Sequence, residues 1–201
     1  MTQLRALFLL IIITLSFSAC KKGDEDPFLS LKSRTGRLTG DWVLKSGSWT
    51  DADSSASYAD GLLSISDGGL DLEPVEAEFT FRFERQGPYR FGRKIIYPDN
   101  WQAPGQVSFT EQFEETGDWQ FTGGAGETKQ KSQLALLSNK IQSSRFIGSA
   151  LDIISYEGQN RALVYNIIKL TDQEIKLEYS LTESDDLGSY SQSAQLTLIK
   201  E

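Results

Sequence analysis

Apolar and polar residues alternate with a period of two along most of this chain. Between residues 78 and 84, three phenylalanines alternate with Glu, Thr and Arg, and the same pattern returns at 107–114, 174–181 and 194–198. Successive side chains of a β-strand point to opposite faces, so each segment predicts a strand with one buried and one wet face. Such half-wet strands are typical of antiparallel sheets.

Further segments complete a predicted all-β fold. Strand-like composition also occurs at 38–46, 58–66, 131–138, 149–156 and 161–170. Turn sequences rich in Gly, Asp, Asn or Pro separate the strands at 67–69, 86–88, 157–160 and 171–173. A short amphipathic helix is predicted at 28–37. About eight to ten successive antiparallel strands lose their exposed edges best by closing into an up-and-down β-barrel, with a β-sandwich as the alternative.

The first 19 residues have the features of a secretory signal. Arg5 precedes an apolar run at 6–15, and small residues follow directly before Cys20, the one cysteine of the chain. The run is about half of the roughly 20 residues that a membrane-spanning helix needs. Residues 17–20, Phe-Ser-Ala-Cys, resemble the lipobox of bacterial lipoproteins, which implies that Cys20 carries acyl chains. An ordinary signal peptide with a chance cysteine is the alternative.

A charged stretch follows the cysteine. Residues 21–27 are Lys-Lys-Gly-Asp-Glu-Asp-Pro, which predicts a solvated tether. We therefore assign 20–37 to the lipidated cysteine and tether, and 38–201 to one barrel domain. The acidic run resembles the signal by which some didermal bacteria export lipoproteins to the outer face of the outer membrane. This implies an outer-membrane anchor, at the cell surface or on the periplasmic face; a linker that merely stays soluble is the alternative.

Composition excludes several functional classes. The chain has no histidine, and lipidation would consume its single cysteine, which excludes Ser-His-Asp and Cys-His catalysis, His-based zinc, haem ligation and disulfides. The formal net charge of −8 disfavours nucleic acid as a partner. The acidic stretch 51–55 begins like a calcium loop but lacks the later Gly and Glu ligand positions. We expect no metal, no cofactor and no enzymatic activity.

One acidic cluster needs separate treatment. Glu111, Glu114, Glu115 and Asp118 lie close together in the sequence, and strict alternation places Glu111 and Glu115 on the face of the neighbouring phenylalanines. We expect a strand end or a bulge to turn these charges to water. The alternative is a catalytic or ligand-orienting pair inside the barrel mouth.

Two segments carry a family resemblance. Gly40-Asp41-Trp42 looks like the G-x-W signature in the opening strand of lipocalins, and residues 165–177 look like the late hairpin of bacterial lipocalin-like lipoproteins. The resemblance implies that Gly40 and Trp42 mark the closed barrel end. Typical lipocalins stack an arginine on that tryptophan, and here Lys200 is the nearest cation. A core tryptophan of another β fold is the alternative.

The resemblance also implies a small hydrophobic or amphipathic ligand inside the barrel. Alternation predicts that five phenylalanines point inward: Phe79, Phe81, Phe83, Phe109 and Phe113. An eight-stranded barrel either fills its interior with such side chains or keeps room for one small ligand. The five rings are therefore either a packed core or the walls of a binding site.

A second functional hypothesis rests on aromatic residues near polar loops. Trp49, Tyr58, Trp101 and Trp119 stand beside segments rich in Asp, Ser, Gly and Pro. Such rings could stack on sugars, which would make the protein a surface glycan-binding or cell-envelope interaction module without a ligand cavity. The alternative is that they plug the ends of the barrel.

Overall fold

The computed structural model describes residues 32–101, 104–123, 132–148, 150–185 and 188–201, without the side chains of 155–161 and 183–190. Signal 1–19 and Cys20 lie outside the described residues. One short helix precedes eleven strands. The elements are α1 (Arg34–Leu38), β1 (Gly40–Asp51), β2 (Ser54–Ala59), β3 (Leu62–Asp67), β4 (Leu70–Asp71), β5 (Val75–Phe83), β6 (Pro88–Tyr97), β7 (Phe109–Thr122), β8 (Gln133–Ile147), β9 (Ala150–Leu170), β10 (Glu174–Asp185) and β11 (Gly188–Lys200).

The strands form one closed antiparallel barrel, which confirms the predicted fold class. From β5 to β11 each strand pairs with the next in the chain, and β11 returns to pair with β1. The closing register joins Trp42 to Lys200 and Trp49 to Ala194. Around the end at Gly40, closure leaves no strand with an exposed edge.

The β2–β3 hairpin widens one end of the barrel. The first residues of β1, 40–43, pair with β5, whereas residues 46–51 pair with β2. β3 in turn pairs with the start of β5. The hairpin is thus inserted between β1 and β5, so that eight strands surround the end at Gly40 and ten surround the other end. We call these the closed end and the mouth.

The predicted strand at 58–66 is wrong, because it is two strands. Asp60 and Gly61 form the turn between β2 and β3, with φ of 52° and 84°. Positive φ at both central residues is the conformation that an Asp-Gly pair favours in tight hairpins. The Asp60-Gly61 pair is therefore the signal in the sequence that separates the two strands.

The predicted turn at 157–160 is also wrong. β9 continues through these residues, and its pairing with β8 shifts register once, between Ser138 and Lys140. A β-bulge therefore accommodates the polar stretch within a continuous strand.

A third difference is β6, which sequence analysis did not predict because Arg90, Gly92 and Arg93 interrupt its apolar pattern.

Helix α1 covers the closed end. Ser33 caps it, since its Oγ accepts a hydrogen bond from the Gly36 amide. Arg37 donates from Nη1 to the Leu170 carbonyl at 2.6 Å, and Leu38 is buried. The helix overlaps the end of the predicted 28–37 helix, whose residues 28–31 lie outside the described residues. The last residues of the predicted tether are therefore packed on the barrel.

Candidate functional site: an aromatic cavity at the mouth

A cavity of about 540 Å³ lies inside the barrel and reaches the mouth. Its walls come from β1, β2, β3 and each strand from β5 to β11. Nine aromatic residues line it: Trp49, Phe79, Phe81, Tyr89, Phe91, Tyr97, Phe113, Tyr165 and Tyr179. The ten-stranded circumference at the mouth explains the space, because barrel diameter grows with strand number.

The five predicted phenylalanines divide between the cavity and the barrel ends. Phe79, Phe81 and Phe113 line the cavity. Phe83 lies deeper, with its ring edge-on to Trp119 at 6.3 Å, and is 1% exposed. Phe109 stacks on Tyr97 at 4.4 Å between ring centroids. Phe83 and Phe109 are thus not lining residues, because they stand at the two ends of strands whose middles form the wall.

Sequence analysis missed the central ring of the wall. Phe91 lies 4.8 Å from Phe81 and 5.9 Å from Phe113, measured between ring centroids. It joins the rings of β5 to those of β7. Because β6 was not predicted as a strand, neither Phe91 nor its inward neighbour Tyr89 entered the set of candidate residues.

A buried carboxylate lies within the aromatic wall. Glu115 is 6% exposed, and the Tyr89 hydroxyl donates to its Oε1 at 2.5 Å. The expectation that the acidic cluster turns to water is wrong for this residue. The register shift between β7 and β8 inserts its extra residue into β8, at Asn139, so β7 alternates without interruption through Glu115 and directs the carboxylate inward.

The other acidic residues of the cluster have different environments. Glu111 also lies on the inner face, where Arg145 pairs with it at 2.7 Å and the Tyr97 hydroxyl approaches it at 3.5 Å. Burial raises the pKa of the Tyr97 phenol, and the Glu111 carboxylate raises it further. Glu114 faces outward, 3.8 Å from Arg90, and Asp118 is exposed.

One guanidinium group belongs to the cavity lining. Arg93 lies over the Phe113 ring, 5.2 Å from its centroid. Its charge also acts on Tyr97, whose pKa it lowers against the larger effects of burial and Glu111. Arg93 therefore belongs electrostatically to the group of Tyr97, Glu111 and Arg145 near the rim.

The barrel wall opens between β9 and β10. Their pairing ends at Asn166 and Glu178, next to the rings of Tyr165 and Tyr179, which lie 5.9 Å apart. Beyond that point the described backbone pairs β9 with β8 and β10 with β11. We call this unpaired stretch of the wall the side opening.

The loop aromatics pack against the barrel. Trp49 stacks on Phe79 at 5.6 Å and lines the cavity, and the buried Tyr58 meets the same ring edge-on. Trp101 donates from Nε1 to the Glu73 carbonyl, and the buried Trp119 makes the same kind of bond to Glu84. This is the arrangement expected of rings that close barrel ends, and it gives the glycan hypothesis no geometric support.

The predicted barrel-end signature is at the closed end. Trp42 is fully buried, and its Nε1 donates to the Leu38 carbonyl at 2.7 Å. Lys200 Nζ lies 5.0 Å from the centroid of the Trp42 ring and donates to the Thr39 carbonyl. Gly40 has φ of 132°, and a Cβ there would lie 2.8 Å from Lys200 Cε. Glycine is therefore required where the lysine crosses the tryptophan.

The described part of the chain contains neither a cluster of metal ligands nor a membrane-spanning helix. No group of three or more potential metal-ligating side chains occurs in it. Asp51, which begins the calcium-like stretch, accepts hydrogen bonds from the Ala52 amide and from Gln192 instead. No helix in the same residues is long and apolar enough to cross a membrane.

Comparison of the chain with known protein families, with curated proteins and with solved structures found no match.

Proposed function

We propose that the protein is a lipoprotein, anchored to the outer membrane through Cys20, whose lipocalin-like barrel binds a small hydrophobic or amphipathic molecule. The observation that carries the proposal is the cavity of about 540 Å³ behind the mouth. Ligand sites of roughly 300–1,000 Å³, with mainly apolar walls and a few convergent polar groups, are typical of small-molecule binding proteins. Asp51, Arg93 and Glu115 are the charged groups in its lining.

The side opening supports exchange of such a ligand with the surroundings. An apolar molecule that enters between β9 and β10 first meets Leu163, Tyr165 and Tyr179, all of which line the cavity. Since these side chains are apolar or amphipathic, the route favours the same class of molecule as the interior. Burial of its apolar surface would supply about 25 cal/mol per Å² before the costs of association.

We propose binding without chemical transformation. Histidine-free glycoside hydrolysis requires two carboxylates roughly 5–10 Å apart. Glu111 and Glu115 lie on the same face of β7 but four residues apart, which separates parallel side chains by roughly 14 Å in an extended strand. Arg145 also holds Glu111 in an ion pair. The two carboxylates therefore lie too far apart for that reaction, and of the two it is Glu115 that lines the cavity.

Filling the cavity should abolish binding. Ala194 is a buried lining residue of β11, opposite Trp49, and in the Ala194→Phe variant a phenyl ring occupies the space above it. We expect the affinity for a neutral apolar fluorophore such as N-phenyl-1-naphthylamine to fall by about tenfold or more, a loss of about 1.4 kcal/mol. Fluorescence titration of the purified chain measures this.

Gln195→Phe is the matched control. Gln195 follows Ala194 on the same strand but is exposed on the outer face, so its ring does not enter the cavity. We expect the affinity of this variant to equal that of the unaltered chain. Equal affinity in all three proteins would mean that the fluorophore binds elsewhere, and the cavity would lose its proposed role.

The position of the first described residues supports the anchored arrangement. Lys32 precedes α1, which lies at the closed end, so a lipid at Cys20 would hold that end toward the membrane. The segment 21–31 spans at most roughly 40 Å when fully extended. The mouth then faces away from the anchoring bilayer, toward dissolved or surface-bound ligands.

Intact-mass measurement of the protein purified from its own membranes tests the anchor. We expect a chain that begins at Cys20 and carries the mass of two or three acyl chains, because one chain alone gives only marginal membrane binding. A different first residue, or a mass without acyl groups, would refute the anchor while leaving the cavity proposal intact.

A further inference from the structure

The lower wall of the cavity combines a buried carboxylate with aromatic rings in a single row. Phe81 on β5 pairs with Phe91 on β6, and Phe91 pairs with Glu115 on β7. The three side chains lie side by side on the inner face, and all three line the cavity. Phe79 and Phe113 flank the row at 6.5 and 5.9 Å from Phe91.

The carboxylate of this row has no cationic partner in the described part of the chain. Its one hydrogen bond there comes from the neutral Tyr89 hydroxyl, and no described Lys or Arg nitrogen lies within ion-pair distance of Glu115. A buried charge is costly unless a counter-charge accompanies it. The site is therefore incomplete in a way that a cation in the cavity would correct.

The aromatic neighbours favour the same kind of ligand. The face of a phenyl ring carries negative potential and attracts organic cations, most strongly where water is excluded. The lining contains two carboxylates, of Asp51 and Glu115, against the single guanidinium of Arg93. Arg93 lies one step nearer the mouth than Phe91, over the Phe113 ring, which leaves Glu115 as the charged group of the deeper wall.

We propose that the ligand is an amphipathic organic cation, with its ammonium group at Glu115 beside Phe81 and Phe91 and its apolar part toward the mouth. This inference rests on the proposed binding function and names the chemical class of the ligand. It separates this cavity from one that takes fatty acids, whose carboxylate would meet the Glu115 carboxylate.

Three probes of equal chain length test the ligand class. Hexyltrimethylammonium, hexanoate and hexanol differ in the charge of the head group, and each has a main chain of six carbons. Calorimetric titration of the full chain in detergent, with protein-free micelles as the blank, gives the three affinities. We expect the ammonium to bind about tenfold or more tightly than the alcohol and hexanoate to bind most weakly, as one ion pair and its ring contacts imply.

A matched pair of variants assigns the preference to one carboxylate. Glu115→Gln removes the inner charge at nearly constant volume, and Glu114→Gln removes the same charge from the outer face of the adjacent position. We expect Glu115→Gln to lose about tenfold in ammonium affinity and to keep its hexanol affinity. Glu114→Gln should change neither. Tyr89→Phe keeps the carboxylate and should keep ammonium selectivity, which provides a test if Glu115→Gln does not fold.

The outcomes separate this inference from the proposed function. If hexanol binds but hexanoate binds as tightly as the ammonium, or if the two glutamine variants behave alike, the cation inference is overturned and the binding function stands. Loss of ammonium selectivity in Tyr89→Phe would also overturn it, since the carboxylate remains in that variant. If none of the probes binds, the cavity function fails together with the inference.

Discussion

Replacement of Gly117 by alanine is expected to lower the free energy of unfolding by at least about 3 kcal/mol, because the new methyl group has no space. A Cβ at this position would overlap the carbonyl oxygen of Leu137 on β8 and would lie 2.8 Å from Tyr89 Cε1. The first obstacle is backbone, so relief requires β7 and β8 to separate at the bulge. Urea unfolding followed by far-ultraviolet circular dichroism measures the change.

Gly92→Ala provides the comparison. Gly92 lies on β6, and its added Cβ would meet the Thr80 hydroxyl at 2.7 Å. A hydroxyl on a rotatable side chain can move, so we expect a loss of about 1 kcal/mol or less. Equal losses in the two variants would contradict the argument that the backbone contact at Gly117 decides the cost.

The close approach of Gly117 to Leu137 and Tyr89 also affects the candidate site. Tyr89, which the new methyl group would displace, donates the hydrogen bond to Glu115. Closure of β7 on β8 and the position of the carboxylate therefore depend on the same few atoms.

The fold was predictable where burial alone sets the pattern. In β5 and β10 the inner face is apolar at each step, so alternation indicated both the strand and its orientation. Closure into a barrel followed from the number of such strands and the shortness of their connections. The position of Trp42 at a barrel end was instead an expectation from the G-x-W resemblance, and the ring is fully buried at the closed end.

The site was not predictable by the same reasoning, because it breaks the apolar pattern. Arg93 and Glu115 are charged residues on inner faces, and single-sequence patterns interpret such charges as solvated. The interpretation failed for both: β6 was missed and Glu115 was assigned to water. The space around them arises from the β2–β3 hairpin, whose Asp60-Gly61 turn is the one local signal that could have indicated it.

The two ends of the barrel thus have separate roles. The closed end has eight strands and a covering helix. Among the buried residues described there, the charged side chains are those of Arg34 and Arg37. The mouth has ten strands, a side opening and a wall with partly satisfied charges. Most of the largest fully buried side chains, among them Trp42, Phe83 and Leu170, lie at the closed end, so we expect that end to supply the stability on which the mouth depends.

Trp42→Ala tests that division and is expected to lower the free energy of unfolding by about 3–5 kcal/mol. The ring is fully buried, accepts the Lys200 cation on its face, and donates to the Leu38 carbonyl that ends α1. Its removal leaves a cavity, an unpaired carbonyl and a lysine without its ring, and each adds to the loss. Chemical unfolding monitored by circular dichroism gives the value.

Trp101→Ala is the control at the mouth, where a half-buried tryptophan also donates to a backbone carbonyl. The Trp101 ring is less buried and lies at the mouth rather than in the core. We therefore expect Trp101→Ala to lower the free energy of unfolding by less than half as much as Trp42→Ala does. Lys200→Met isolates the cation and should cost about 1 kcal/mol. Similar losses of unfolding free energy in the two tryptophan variants would show that stability is shared evenly along the barrel. The proposal that the closed end supplies most of the stability would then be wrong.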